Sequence, residues 1–152
     1  MRRATTADIP LLLGLMTEFY SEAGYELEQK RASESFRCLL NDESLGSIWI
    51  IEKLADAAGY LVLTVKFAME YAGRVGCLDD LYVRSAFRNS GLASAALLEL
   101  RSVCEATGIR ALTVEVAFDN GPAQKVYRRA GFTEAANRQL LSLALAAPAH
   151  IL

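Results

Sequence analysis

The chain has 152 residues, of which 53% are hydrophobic, enough for a single domain (residues 1–152) with a substantial core. Its 16 Lys and Arg stand against 18 Asp and Glu, a net charge of −2, so there is no basic excess for nucleic acid or an anionic membrane, and an anionic ligand must be held by local geometry. The only histidine is His150, which argues against a His-activated nucleophile or a multi-His metal site; no metal is expected, and acid–base chemistry falls to Asp, Glu, Tyr, Lys, Cys or water.

Arg2 and Arg3 precede a short apolar run, but Asp8 and Pro10 interrupt it and Glu18 follows. That pattern fits an amphipathic helix better than a signal peptide. No apolar run approaches membrane-span length. Cys38, Cys77 and Cys104 form no C-x-x-C pair and read as buried, reduced thiols of a cytoplasmic protein.

Residues 2–5 are predicted as a short edge strand. Thr6 is placed to cap a helix in which Ile9, Leu12, Leu13, Met16, Phe19 and Tyr20 recur at helical spacing, with Gly24 at its end. A polar stretch from Tyr25 to Glu34 leads to a second helix carrying Phe36, Leu39 and Leu40. Glu18, Glu22, Glu26, Glu28 and Glu34 cluster there, either as a solvated surface or as an acidic rim for a cationic substrate. Three strands follow: residues 47–52, then 60–70 after a turn at Asp56–Gly59, then 74–83 after Ala72-Gly73. They read as an antiparallel meander. A helix from Ser90 to Ala106 places Leu92, Ala95, Ala96, Leu98, Leu100 and Val103 on its apolar side and ends at Gly108. A strand from Ala111 to Val116 then lies parallel to strand 75–83. Asn120 or Gly121 opens a helix ended by Gly131-Phe132, and residues 140–145 form a last strand. The order β-α-α-β-β-β-α-β-α-β predicts an α+β fold: a mixed, mostly antiparallel sheet with helices on both faces.

Two constellations carry chemistry. In Arg88-Asn89-Ser90-Gly91-Leu92-Ala93, a positive charge and small residues stand at a helix start, where free N–H groups can hold a phosphate. Packing alone also accounts for small residues there. In Asn120-x-x-Ala123-x-x-x-Tyr127-x-x-x-Gly131-Phe132, steps of three and four line one side of a helix. Asn120 reads equally as an N-cap, and Tyr127 as a core aromatic. G-K-[ST] and G-x-G-x-x-G are both missing, so neither a P-loop nor a dinucleotide fingerprint is present.

Together these motifs resemble the GCN5-related N-acetyltransferase (GNAT) superfamily. Leu78–Val83 with Arg88-x-x-Gly91-x-Ala93 resembles its acyl-CoA signature, with Asn89 and Ala93 where many members have Gly. The run Gly59-Tyr60, Gly73-Arg74, Leu78-Asp79-Asp80-Leu81-Tyr82-Val83 is similar to the polyamine and thialysine acetyltransferase branch. The resemblance implies acetyl-CoA as donor and a primary amine of a small molecule (polyamine, diamine or amino acid) as acceptor, by direct attack. It places the pyrophosphate on the N–H groups of Arg88, Asn89, Ser90, Gly91, Leu92 and Ala93, and the pantetheine along Leu81, Tyr82 and Val83. Asn120, Ala123 and Tyr127 would contact its far end. Tyr127 is the candidate acid and Asp79 the candidate base, acting through water. As strand neighbours, Asp79 and Asp80 are expected on opposite faces unless a bulge intervenes; one serves the amine and the other makes structural hydrogen bonds, unless both are structural. Tyr20, Glu22, Tyr25 and Glu26 are candidate acceptor contacts. A protein α-amino or lysine acceptor, and a non-catalytic acyl-CoA-binding module, are the alternatives. The apolar last strand and the tail from Ala146 to Leu152 hint at a homodimer surface, as dimers are common in that superfamily.

Overall fold

In a computed structural model, which describes residues 1–134, 140–143 and 145, five strands form one sheet in the order β1-β2-β3-β4-β5. The strands are β1 (Arg2–Arg3), β2 (Gly46–Lys53), β3 (Asp56–Ala68), β4 (Gly73–Val83) and β5 (Ala111–Val114), and the helices are α1 (Ile9–Ala23), α2 (Gln29–Asn41), α3 (Leu92–Ala106) and α4 (Gly121–Arg129). All neighbouring strands pair antiparallel except β4 and β5, which are parallel and joined through α3. No helix among the described residues is long and apolar enough to cross a membrane.

Alternation along the strands splits the core in two. Ile48, Ile50, Tyr60, Val62 and Tyr82 face Leu12 and Leu15 of α1 and Phe36 of α2. Trp49, Ile51, Leu61, Leu63, Leu78 and Val83 face Ala96, Leu97, Leu100 and Cys104 of α3.

Several boundaries differ from expectation for local reasons. At the start, Asp8 rather than Thr6 organises the chain: its carboxylate accepts from the Thr5 N–H at 2.8 Å and from Arg2 at 2.7 and 2.9 Å. Arg2 therefore holds the Asp8 carboxyl well below the usual carboxylate range. The second helix begins at Gln29, inside the polar stretch, because the Glu28 carboxylate accepts from the N–H groups of Lys30 and Arg31. The β2–β3 turn is Leu54-Ala55, both at positive φ, so residues 56–59 are strand. This turn lacks the usual Gly or Asn and is invisible to turn chemistry. On α3, Leu97 is buried and Leu98 is exposed, correcting the expected apolar side. Cys38 is exposed, Cys77 half-buried and Cys104 buried; all three are free thiols. β5 stops at Val114. Residues 140–143 and 145 form no strand, and their leucines are exposed; Ala144, the tail from Ala146 to Leu152 and His150 lie outside the described residues.

Gly59 fixes the distance between β3 and β4. A Cβ built there would lie 2.0 Å from the Tyr82 carbonyl oxygen, in the sheet interior. Gly59→Ala is expected to lower stability by about 2–3 kcal/mol, measured by denaturant unfolding, because backbone rather than a flexible side chain has to move.

Candidate active site

β4 is the element on which the site is built. β5 pairs only with Val75–Leu78. Beyond that point, residues 79–83 have β3 on one edge and no strand on the other among the described residues. The Arg84 N–H donates to the Ala58 carbonyl of β3, so by alternation the backbone groups of Leu81 and Val83 face the open edge. The Val83 carbonyl accepts from Arg88 Nε at 2.8 Å. An extended ligand can therefore pair with β4 as an added strand.

Downstream of the open edge is the turn into α3. Asn89 (φ 58°) and Gly91 (φ 81°) both take left-handed conformations. The N–H groups of residues 89–94 have no acceptor among the described residues; the first helical bond runs from the Ala95 N–H to the Gly91 carbonyl. Consecutive free amides at the start of a 15-residue helix form an anion cradle. The Arg88 side chain does not add its charge to the cradle. It pairs with Glu22, bonds to the Val83 carbonyl and lies over the Tyr82 ring at 5.6 Å. The expected fixed positive charge is thus spent on α1, and the cradle is a backbone device.

α4 closes the far side. Asn120 Oδ1 accepts from the Ala123 N–H at 3.2 Å, so Asn120 caps the helix. Val126, Tyr127 and Ala130 pack beside the α3-side core. The Tyr127 ring meets Phe132 edge-on, with centroids 5.7 Å apart, and Phe132 is turned back by its N–H donating to the Tyr127 carbonyl. The Tyr127 hydroxyl has no hydrogen-bond partner among the described residues. Burial, and then the charge of Asp80, push it up to about 12.

On the other face, between α1, α2 and β4, lies a cleft of about 440 Å3. Tyr20 and Met16 line it from α1, Arg31 and Phe36 from α2, and Asp79 and Asp80 from β4; Glu26 and Glu28 stand on the α1–α2 connection. The regular-strand expectation that Asp79 and Asp80 point to opposite faces is corrected here, by the bulge that was its stated exception. The β3–β4 register slips, with Val62 opposite Asp80 and Leu63 opposite Leu78. Asp79 is the extra residue of a β-bulge, and both carboxylates reach the same cleft. Asp80 accepts from the fully buried Tyr60 hydroxyl at 2.8 Å. Burial raises Asp80 to about 6, with the Asp79 charge adding to it and the Tyr60 hydrogen bond opposing. Burial also raises Asp79. Tyr20, which lines the same cleft, is raised by burial and by the charges of Asp80 and Asp79.

The remaining acceptor candidates are distributed unevenly. Glu26 lines the cleft. Glu22 lies outside that lining: it accepts from Tyr82 at 2.8 Å and pairs with Arg88. Tyr25 is exposed and stacks edge-on with Tyr20. The sequence marks Tyr60 only within the Gly59-Tyr60 motif and Glu18 only within the acidic cluster; Arg31, and Arg84 as the partner of Glu18 at 2.7 Å, carry no sequence signal. Only the register of β3 on β4 brings Tyr60 to Asp80, and only the early start of α2 brings Arg31 to the cleft.

An open strand edge, an amide cradle and a free tyrosine hydroxyl on one side, with an acidic cleft on the other, suit a transfer between two separately bound molecules. Known proteins share this fold. A model of the acetyltransferase (GNAT) family matches residues 12–132. The chain is 28% identical over 137 residues to an uncharacterized N-acetyltransferase, YhfO, of Bacillus subtilis (strain 168), covering 88% of this chain and 89% of that one. It superposes at a TM-score of 0.87, with 44% identity, on an integron cassette protein, HFX_CASS3, from the mobile metagenome of Cole Harbour Salt Marsh, covering 97% of this chain and 91% of that one. A predicted acetyltransferase with acetyl-CoA from Clostridium acetobutylicum shares the fold at a TM-score of 0.77 and 21% identity, with coverage of 93% and 94%. With 121 consecutive residues matched by the family model (12 to 132 inclusive), and with relatives of the same fold, this chain belongs to the acetyltransferase (GNAT) family and is an N-acetyltransferase.

Proposed function

We propose that the protein transfers an acetyl group from acetyl-CoA to the primary amine of a small molecule by direct attack. The observation that carries this reading is that β4 serves two sites at once, its open edge on one side and the bulged Asp79-Asp80 pair in the opposite cleft. A Clostridium acetobutylicum protein of the same fold contains acetyl-CoA, which supports that donor here.

The free amides of residues 89–94 hold the pyrophosphate, and the backbone of Leu81 and Val83 pairs with the pantetheine. Tyr82 supplies the intervening residue, its side chain turned to α1. Asn120, Ala123 and Tyr127 line the far end. Asp80 receives the ammonium in the cleft, beside Tyr20 and Glu26. Asp79, desolvated within the cleft yet accessible to solvent, accepts the proton through water. The neutral amine nitrogen then attacks the thioester carbonyl, with the Val83 N–H stabilising the developing oxyanion; the C–N bond forms, the C–S bond breaks, and the nitrogen releases its second proton to solvent. Tyr127 gives its proton to the departing thiolate and regains one from solvent.

The test is thiol release from acetyl-CoA over a panel of small amines and lysine-containing peptides. Turnover with small amines is expected. CoA binding without turnover on any acceptor would leave a binding module, and turnover on peptides alone would move the acceptor to proteins.

A further inference from the structure

Resting on the small-amine reading above, we infer that the acceptor carries a carboxylate as well as its amine, an amino acid rather than a polyamine, and that Arg31 reads that carboxylate. Arg31 is the only basic residue lining the cleft among the described residues. Its guanidinium has no ion pair or hydrogen bond among the described residues; only its backbone N–H is engaged, by Glu28. The Glu28 carboxylate, three residues before it and also in the lining, is occupied by two backbone N–H groups at 2.9 and 3.0 Å. Asp79 and Asp80 line the cleft from β4, and Glu26 lines it from the α1–α2 connection. The cleft therefore combines one guanidinium without a side-chain partner, on α2, with the carboxylate pair of β4.

A diamine or polyamine is served poorly by such a cleft. Its second ammonium would meet Arg31, a like-charge contact that selects against it. An aminocarboxylate satisfies both: the ammonium goes to Asp79-Asp80, beneath the thioester, and the planar carboxylate takes the fork of Arg31. Met16, Leu27, Phe36, Leu39 and Val62 give the cleft an apolar lining. That lining suits a hydrocarbon side chain or spacer between the two charges.

The experiment compares each of a set of amino acids with its own decarboxylation product, for example lysine with cadaverine and phenylalanine with phenethylamine, in the native enzyme and in Arg31→Gln and Arg31→Lys. The best amino acid is expected to exceed its decarboxylated twin in kcat/KM by about 10- to 100-fold, the range of one charge-assisted pair. Arg31→Gln should bring that ratio to about one, through KM, and Arg31→Lys should restore part of it. Twins used equally well, a preference for the diamine, or an unchanged ratio in Arg31→Gln would overturn the inference while leaving amine acetylation in place. No turnover on either member of any pair would overturn both.

Discussion

Tyr127→Phe is expected to bind acetyl-CoA as the native enzyme does and to lose about two orders of magnitude in kcat, the usual contribution of a positioned general acid. The expectation rests on what the hydroxyl does and does not touch. It has no hydrogen-bond partner among the described residues, and the ring is held by Phe132 and the α3-side core. Removing the oxygen therefore leaves packing intact and orphans no buried group, so stability should change by only a few tenths of a kcal/mol. Burial and the Asp80 charge push the hydroxyl up to about 12, so it stays protonated from about pH 7 to 10. The deficit should be uniform over that range. Titration of CoA by calorimetry and stopped-flow thiol release separate binding from rate; a kcat equal to native across the range would remove Tyr127 from the acid role.

Asp80→Asn carries the second large effect. Loss of the carboxylate is expected to lower kcat/KM for the preferred amine by about 100-fold, as for a buried charge pair broken at one partner. The native kcat/KM should fall on the acid side through about pH 6, where Asp80 takes up its proton, and Asp80→Asn should lose that limb. The sign of the stability effect is opposite. Burial raises the folded-state pKa of Asp80, so its contribution to folding is greatest in acid and is lost as the pH rises through about 6. At pH 8 the Asn variant is therefore expected to be more stable by about 1 kcal/mol, after discounting for partial solvent screening. A variant more stable and less active marks a charge kept for chemistry. Thermal unfolding at pH 5 and pH 8, beside the pH–rate profile, checks both signs.

Much of this was legible in the sequence because it is written in local chemistry. The meander, the parallel return through α3 and the left-handed Gly24, Gly91 and Gly108 follow from alternation and glycine placement. So do Gly91 and Ala93 at the cradle and Tyr127 on the inner side of α4. The features that escaped depend on register. A single extra residue at Asp79 turned two carboxylates onto one face, and no pattern in Leu78-Asp79-Asp80-Leu81 announces it. Tyr60 opposite Tyr82, and hence within reach of Asp80, is likewise a matter of how β3 lies on β4. Arg88 looked like a phosphate ligand because charge beside a helix start usually attracts anions. Glu22, brought alongside by α1, takes its guanidinium instead. The Leu54-Ala55 turn carries no turn residue at all.

The most direct measurement is the initial-rate pattern with both substrates varied, together with the mass of the enzyme after incubation with acetyl-CoA alone. On the proposed reading, with donor and acceptor on opposite sides of β4, both must be bound before the C–N bond forms. Intersecting double-reciprocal lines and an enzyme of unchanged mass are therefore expected. Parallel lines, with an acetyl group found on the protein in the absence of amine, would contradict direct transfer and the two-sided site on which it depends.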